Sequence, residues 1–188
     1  KKSKYLVVNG ASNELFILDN VQISITKEYN YLGCLIVNGS TARVVEAETM
    51  RRWRHVWKFA SFLRVNANAP YNVKSKVWNA AVNAALFYGC STWLSRTKIR
   101  CIEKPYMQSL KRLLGVRVTI PMDIILAETG CLSPSDYVLI RQRTFLHKLR
   151  QRPGTSIIPR VIDMAIRMRT SMGIQMQRIA AMPADEDQ

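Results

Sequence analysis

Residues 50 to 60 read MRRWRHVWKFA, and the orientation of this stretch decides how the helical part of the chain is built. Met50, Trp53, Trp57 and Ala60 recur at spacings of three and four. Arg51, Arg54, His55 and Lys58 recur at i, i+3, i+4 and i+7. Residues at those spacings stack along one side of an α-helix. The tryptophans are therefore expected to anchor the helix in a core, while the second set projects together as a basic row. Such a row fits the repeating phosphates of a nucleic acid. It fits a solvated charged face as well, and this stretch alone leaves both readings open.

Downstream, the pattern stays helical. Ser40 or Thr41 is placed to cap the first helix, which is expected to run to about Leu63. Asn66 to Pro70 reads as a loop. A second helix is expected from about Asn72 to Leu94, apolar but interrupted by Asn79 and Asn83, and too polar to span a membrane. A third, from about Lys98 to Leu114, carries the stripe Ile99, Ile102, Tyr106, Leu110, Leu113 and Leu114 and stops at Gly115, a C-cap residue. Pro121 suits the first turn of a short helix. Another helix is expected from Ser135 to Gln151, capped by Ser133 or Ser135. Pro153-Gly154 breaks the chain, and one helical tail from Pro159 to Ala181 closes it. Upstream, the pattern is that of strands. Tyr5 to Val8 ends in the turn pair Asn9-Gly10, and Leu15 to Leu18 ends in Asp19-Asn20. Val21, Ile23 and Ile25 alternate with Gln22, Ser24 and Thr26, the period of a half-buried strand. Tyr29 to Val37 is an apolar run with Gly33 inside it, closed by Asn38-Gly39. The expected fold class is α+β: short N-terminal β-hairpins, then a mostly α-helical part, or a sheet fragment joined to a helical bundle.

Charge sharpens the question of partners. The 188 residues hold 28 Lys and Arg against 13 Asp and Glu, a formal charge of +15. Three of the acids, Asp185, Glu186 and Asp187, sit at the end of the chain, so the body is more basic still. A hydrophobic fraction of 48% excludes a disordered basic tail. Cations recur on the helices: Lys98, Arg100 and Lys104 at the start of the third, Lys111, Arg112 and Arg117 around its end. Arg143, His147 and Arg150 share one face of the next helix, and Arg141 and Lys148 another. Arg160, Arg167, Arg169 and Arg178 follow in the tail. Several basic helical faces with few acids to pair with them favour a nucleic-acid groove.

The chemistry of an active site is missing. No Asp-Asp pair, HExxH, Walker loop, GxSxG or GxGxxG occurs, so no complete catalytic constellation is expected. The four cysteines, Cys34, Cys90, Cys101 and Cys131, form no CxxC pair, and His55 and His147 are the only histidines. Reduced, partly buried thiols are expected rather than zinc. Trp78, Leu86, Phe87, Tyr88 and Trp93 read as core, Cys90 as a small core residue, and Gly89 as a bend or a close helix contact.

Four stretches in order carry a resemblance. They are YNYLGCLI (Tyr29 to Ile36), the long basic helix, LFYGCSTW (Leu86 to Trp93) and LKRLLGV (Leu110 to Val116). KSKYLVV (Lys2 to Val8) precedes them, and AETGCLSP (Ala127 to Pro134) follows. Together they resemble the region after the catalytic motif in reverse transcriptases of LINE-type, non-LTR retrotransposons, over about residues 1 to 150. The resemblance implies the end of a palm over residues 1–39, a helical thumb over 40–152 and a C-terminal helical extension with an acidic tail over 153–188. It implies that a Tyr31-Leu32-Gly33 hairpin helps hold the primer end, and that Arg51, Arg54, His55, Lys58, Lys98, Arg100, Lys104, Lys111 and Arg112 face nucleic acid. The implied partners are an RNA template, a DNA primer, and the upstream fingers and palm of the same polyprotein, with no membrane. The paired catalytic aspartates are expected upstream of Lys1, where the chain starts as though cut mid-strand. No cofactor is expected in this chain, and magnesium belongs only to that upstream site. The chain alone is then expected to be inactive as a polymerase. An intracellular location is implied, in the nucleus and in cytoplasmic ribonucleoprotein. Two other readings stand beside this one. A helical DNA- or RNA-binding protein with a recognition helix would show a compact turn of three or four residues between two helices. A basic protein-interaction module would turn the same faces toward an acidic protein.

Overall fold

The computed structural model describes residues 4–7, 16–18, 21–31, 34–38, 41–92, 96–153 and 156–181. The expected turns at Asn9-Gly10 and Asp19-Asn20, the hairpin tip Leu32-Gly33, Gly39, Ser40, Trp93, Gly154 and the acidic tail lie outside these residues. Strands come first and helices second, so the α+β class holds. The chain forms two compact units, Lys1–Arg54 and His55–Gln188. Their border falls inside the first helix.

The first unit holds two small sheets. Strands β1 (Lys4–Tyr5), β2 (Phe16–Leu18) and β3 (Val21–Ile25) form one in the order β1-β3-β2. β2 runs antiparallel to β3, with Phe16 opposite Ile23, while β1 runs parallel to it, with Lys4 opposite Ser24. A parallel neighbour needs a crossover rather than a tight turn, so this sheet is not the simple run of hairpins that the turn pairs suggest. Strands β4 (Glu28–Tyr31) and β5 (Cys34–Val37) pair antiparallel, with Tyr31 opposite Cys34. The run from Tyr29 to Val37 thus folds back on itself. The alternation in β3 does not mark a buried face, because Val21 and Ile25 are both exposed.

Helix α1 (Thr41–Val65) continues into the second unit. The expected second helix is shorter than its apolar pattern. It comprises α2 (Tyr71–Val77), a wide π-helical turn (Trp78–Asn83) and α3 (Ala84–Leu86). Asn79 and Asn83, the polar interruptions, bond to each other across that turn at 3.3 Å. The helix stops because Gly89 takes φ +68°, a left-handed conformation that glycine adopts without strain, and a short 3₁₀ turn (Cys90–Thr92) follows.

Helices α4 (Arg96–Leu114), α5 (Met122–Thr129) and α6 (Pro134–Arg150) follow. Ile102, Tyr106, Leu110 and Leu113 of α4 are buried, as their spacing requires. Trp78 and Tyr106 pack at 5.7 Å between ring centres, and Phe87 meets Tyr106 edge-on at 5.4 Å. The polar atoms of Trp78 and Tyr106 have partners inside this core, whereas Asn83 Oδ1 is buried with none. The Trp78 indole N–H donates to Ser109 Oγ at 2.8 Å, and the Tyr106 hydroxyl donates to the Leu132 carbonyl at 3.0 Å. Ser133 caps α6 by accepting from the Asp136 amide at 3.2 Å, with Pro134 at the first helical position. Pro134, Val138, Gln142 and Leu146 then form its buried stripe.

The expected single tail is two helices, α7 (Ile157–Arg167) and α8 (Ser171–Ala181). Arg169 at φ +49° turns the chain, and Thr170 Oγ1 accepts from the Gly173 amide at 3.0 Å, capping α8. Gly173 lets the helices touch, because a Cβ there would overlap the Ala165 carbonyl. Ile162 and Ile179 close onto Leu146 of α6 in one apolar cluster.

Candidate nucleic-acid interface

The face of α1 that is buried is not the tryptophan face. Val56 and Phe59 are buried, and Arg52 joins them through an ion pair to Glu48 at 3.2 Å. Trp57 is 50% exposed and Met50 57% exposed, and Trp53 and Ala60 are half-buried. The helix is therefore turned by one residue, about 100°, from the orientation that Met50, Trp53, Trp57 and Ala60 suggest. Two apolar stripes lie side by side on this helix, and the one with the more compact side chains is the one that is buried. Phe59 and Phe62 stack at 6.1 Å beside it. Glu48, seven residues past the helix start at Thr41, is the partner of Arg52.

This rotation leaves the basic row on the outside and adds a ring to it. Arg51, Arg54 and Lys58 are exposed, and His55 is half-buried at the row's edge. At 100° per residue, Trp57, Met50, Ser61, Arg54, Val65, Lys58 and Arg51 fall in an arc of roughly 120°. Every one of them is exposed. The outer surface of α1 is thus a mixed strip of cations and large apolar side chains, with an indole among the guanidinium groups.

On α4, Arg100, Lys104 and Lys111 lie on the side away from the buried stripe, at i, i+4 and i+11. Arg100 and Lys104 are exposed. Lys111 does local work: its Nζ donates to the Val118 carbonyl at 2.6 Å and holds the loop that follows the helix. Arg112 is half-buried and is set about 100° around the helix from Lys111. Lys98 belongs to α4, but its side chain is outside the described residues. The candidate row therefore falls on two separate helices, and among the described side chains of α4 the exposed candidates are Arg100 and Lys104. In the hairpin, Tyr31 pairs with Cys34 and the Leu32-Gly33 tip is not described.

The aromatic expectations divide. Trp78, Leu86, Phe87 and Cys90 are buried, whereas Tyr88 is 54% exposed, beyond the end of the helix that would have buried it. Beside the Gly89 turn, a cavity of about 300 Å³ is lined by Phe87, Cys90, Ser91, Tyr137 and Arg141. Arg141 is already engaged there. It donates to the Tyr137 hydroxyl at 3.0 Å and lies 5.3 Å from that ring's centre, and the hydrogen bond raises its pKa further. Tyr106 shifts upward as well, because burial disfavours its phenolate. Cys90, Cys101 and Cys131 are free thiols. Among the described residues no group of three His, Cys, Asp or Glu converges, and no helix is long and apolar enough to cross a membrane. Compared with known proteins, the chain matches no family model, no curated protein and no solved structure.

Proposed function

We propose that this chain is the palm end and thumb of a reverse transcriptase of the LINE type, gripping an RNA template–DNA primer duplex without catalysis of its own. The observation that carries the reading is the outer surface of α1. It presents Arg51, Arg54 and Lys58 together with Trp57, after an antiparallel strand pair that sets Tyr31 opposite Cys34. Cations on a helix follow phosphates, and an aromatic ring among them offers a base or sugar an apolar contact. The apolar side chains left exposed on the short strands suit a sheet that continues into a larger palm. Its fingers, palm and catalytic aspartates would belong to the same polyprotein, and its setting would be intracellular, in the nucleus and in ribonucleoprotein.

The test is the triple variant Arg51→Gln, Arg54→Gln, Lys58→Gln, assayed on RNA–DNA hybrids of several sequences. Its melting curve should match that of the parent, since all three side chains are exposed. Affinity should fall alike on every sequence, because phosphate contacts carry no sequence information. The slope of log affinity against log salt should flatten by up to about three contacts' worth. Unchanged affinity and slope would make the row a solvated face and end the proposal.

One observation favours a second reading. Helices α7 and α8 are joined by only three residues, Met168 to Thr170, the compact turn that a recognition-helix protein requires. In that case Gln177 and Arg178, exposed on α8, would read bases. Changing both to Ala would then abolish binding to one sequence and leave the others alone.

A further inference from the structure

Helix α7 is apolar on two sides, and only one of them is used. Ile162 and Ala165 are buried, with Ile158 and Ile166 packed against the same cluster. A second row, Ile157, Val161, Met164 and Met168, follows spacings of four, three and four. These side chains are 72%, 46%, 59% and 68% exposed. Four large apolar side chains in line along about 16 Å of helix are a patch rather than scattered surface residues. Two of them are methionines, whose flexible thioethers adapt to a partner's shape.

Charge decides what fits. Arg160 and Arg167 are exposed and border the row on the side away from the core, at i, i+7. Asp163 is the one acid of the helix and lies beyond them, farther from the row. A second copy of α7 is a poor occupant. Antiparallel pairing would set arginine borders against each other, and parallel pairing would set each against a flank already buried on α6. The formal charge of +15 adds repulsion between copies. A helix with acidic borders has complementary charge instead.

We propose that the Ile157-Val161-Met164-Met168 row is a docking site for an amphipathic helix of another protein, whose apolar seam is flanked by Asp or Glu. The contact is helix against helix, with the arginines setting orientation and excluding basic partners. It does not depend on the nucleic-acid reading, which concerns α1 and α4.

The test titrates the full chain with labelled synthetic peptides of about three heptads, with Leu at a and d. One has Glu at e and g, one has Lys there, and a third keeps the Glu peptide's composition with its leucines scattered. The Glu peptide should bind, and the other two should not. The double variant Val161→Asp, Met164→Asp should weaken binding by about tenfold or more, as loss of a central anchor does. The milder Val161→Ser, Met164→Ser pair should do the same with an unchanged melting curve. Arg160→Glu with Arg167→Glu should transfer preference to the Lys peptide. Failure of the Glu peptide to bind, equal binding of all three peptides, or full binding by the Ser pair would overturn the proposal. So would dimerisation of the peptide-free chain that the Ser pair abolishes, since the occupant would then be a second copy.

Discussion

The strands and the helical body use similar amounts of apolar patterning to opposite effect. In the strands, Phe16, Ile17, Val21, Ile25, Tyr29 and Ile36 are all between 39% and 66% exposed, and no strand residue whose burial is described is buried. In the helical unit, Trp78, Val82, Leu86, Ile102, Leu110, Ile125 and Val138 are at most 1% exposed. Alternation is a property of the strand itself, but burial needs a second layer. Strands of two to five residues pair their backbones without enclosing a core. The helices cross one another and do enclose one. Patterning therefore identifies an element and leaves open whether that element is packed.

The widest contrast should come from Trp78→Ala in the body against Phe16→Ala in the strands. The first removes a buried indole and the hydrogen bond it donates to Ser109, whose hydroxyl keeps only its bond to the Tyr106 carbonyl, and should cost roughly 3–5 kcal/mol in denaturant unfolding. The second, at an exposed site, should stay within about 0.5 kcal/mol. Equal losses would erase the distinction between the two regions. Gly173→Ala comes next, at about 1–3 kcal/mol, because a methyl group forced against the Ala165 backbone must separate α7 from α8. Hydrogen exchange should show that loss concentrated in these two helices.

Tyr106→Phe should cost about 1 kcal/mol at neutral pH, the worth of its bond to the Leu132 carbonyl. The pH dependence separates this residue further. Burial raises the folded pKa above the ordinary value of about 10. Its stabilising share is full below that ordinary value and is lost as pH rises past it, because the unfolded chain releases the proton and the folded one retains it. The parent should lose stability in alkali more steeply than the Phe variant, as followed by chemical denaturation across that range. Trp57→Ala should also change folding by no more than about 0.5 kcal/mol, for α1 exposes this ring. Affinity for an RNA–DNA hybrid should nevertheless drop about tenfold, within the usual worth of a stacked base. A large fall in melting temperature would return Trp57 to the core.

Much of the local structure was legible in the residues alone. The α+β order, the stripe from Ile102 to Leu113, the stop at Gly115 and the Ser133 cap follow from side-chain periodicity and from backbone preferences of single residues. These causes act within a few residues of one another. Three features were decided elsewhere. The parallel partner of β3 comes from a distant segment, and no turn signal announces it. The break between α7 and α8 rests on Arg169 in a left-handed conformation and on Gly173 against Ala165. Thr170-Ser171 was a capping signal that the continuous apolar pattern concealed. The orientation of α1 is the most instructive case. MRRWRHVWKFA specifies a helix and two competing apolar stripes, so local periodicity permits either face to turn inward. Tertiary packing buried Val56 and Phe59 with the Arg52–Glu48 pair beside them, and that choice put Trp57 outside among the cations.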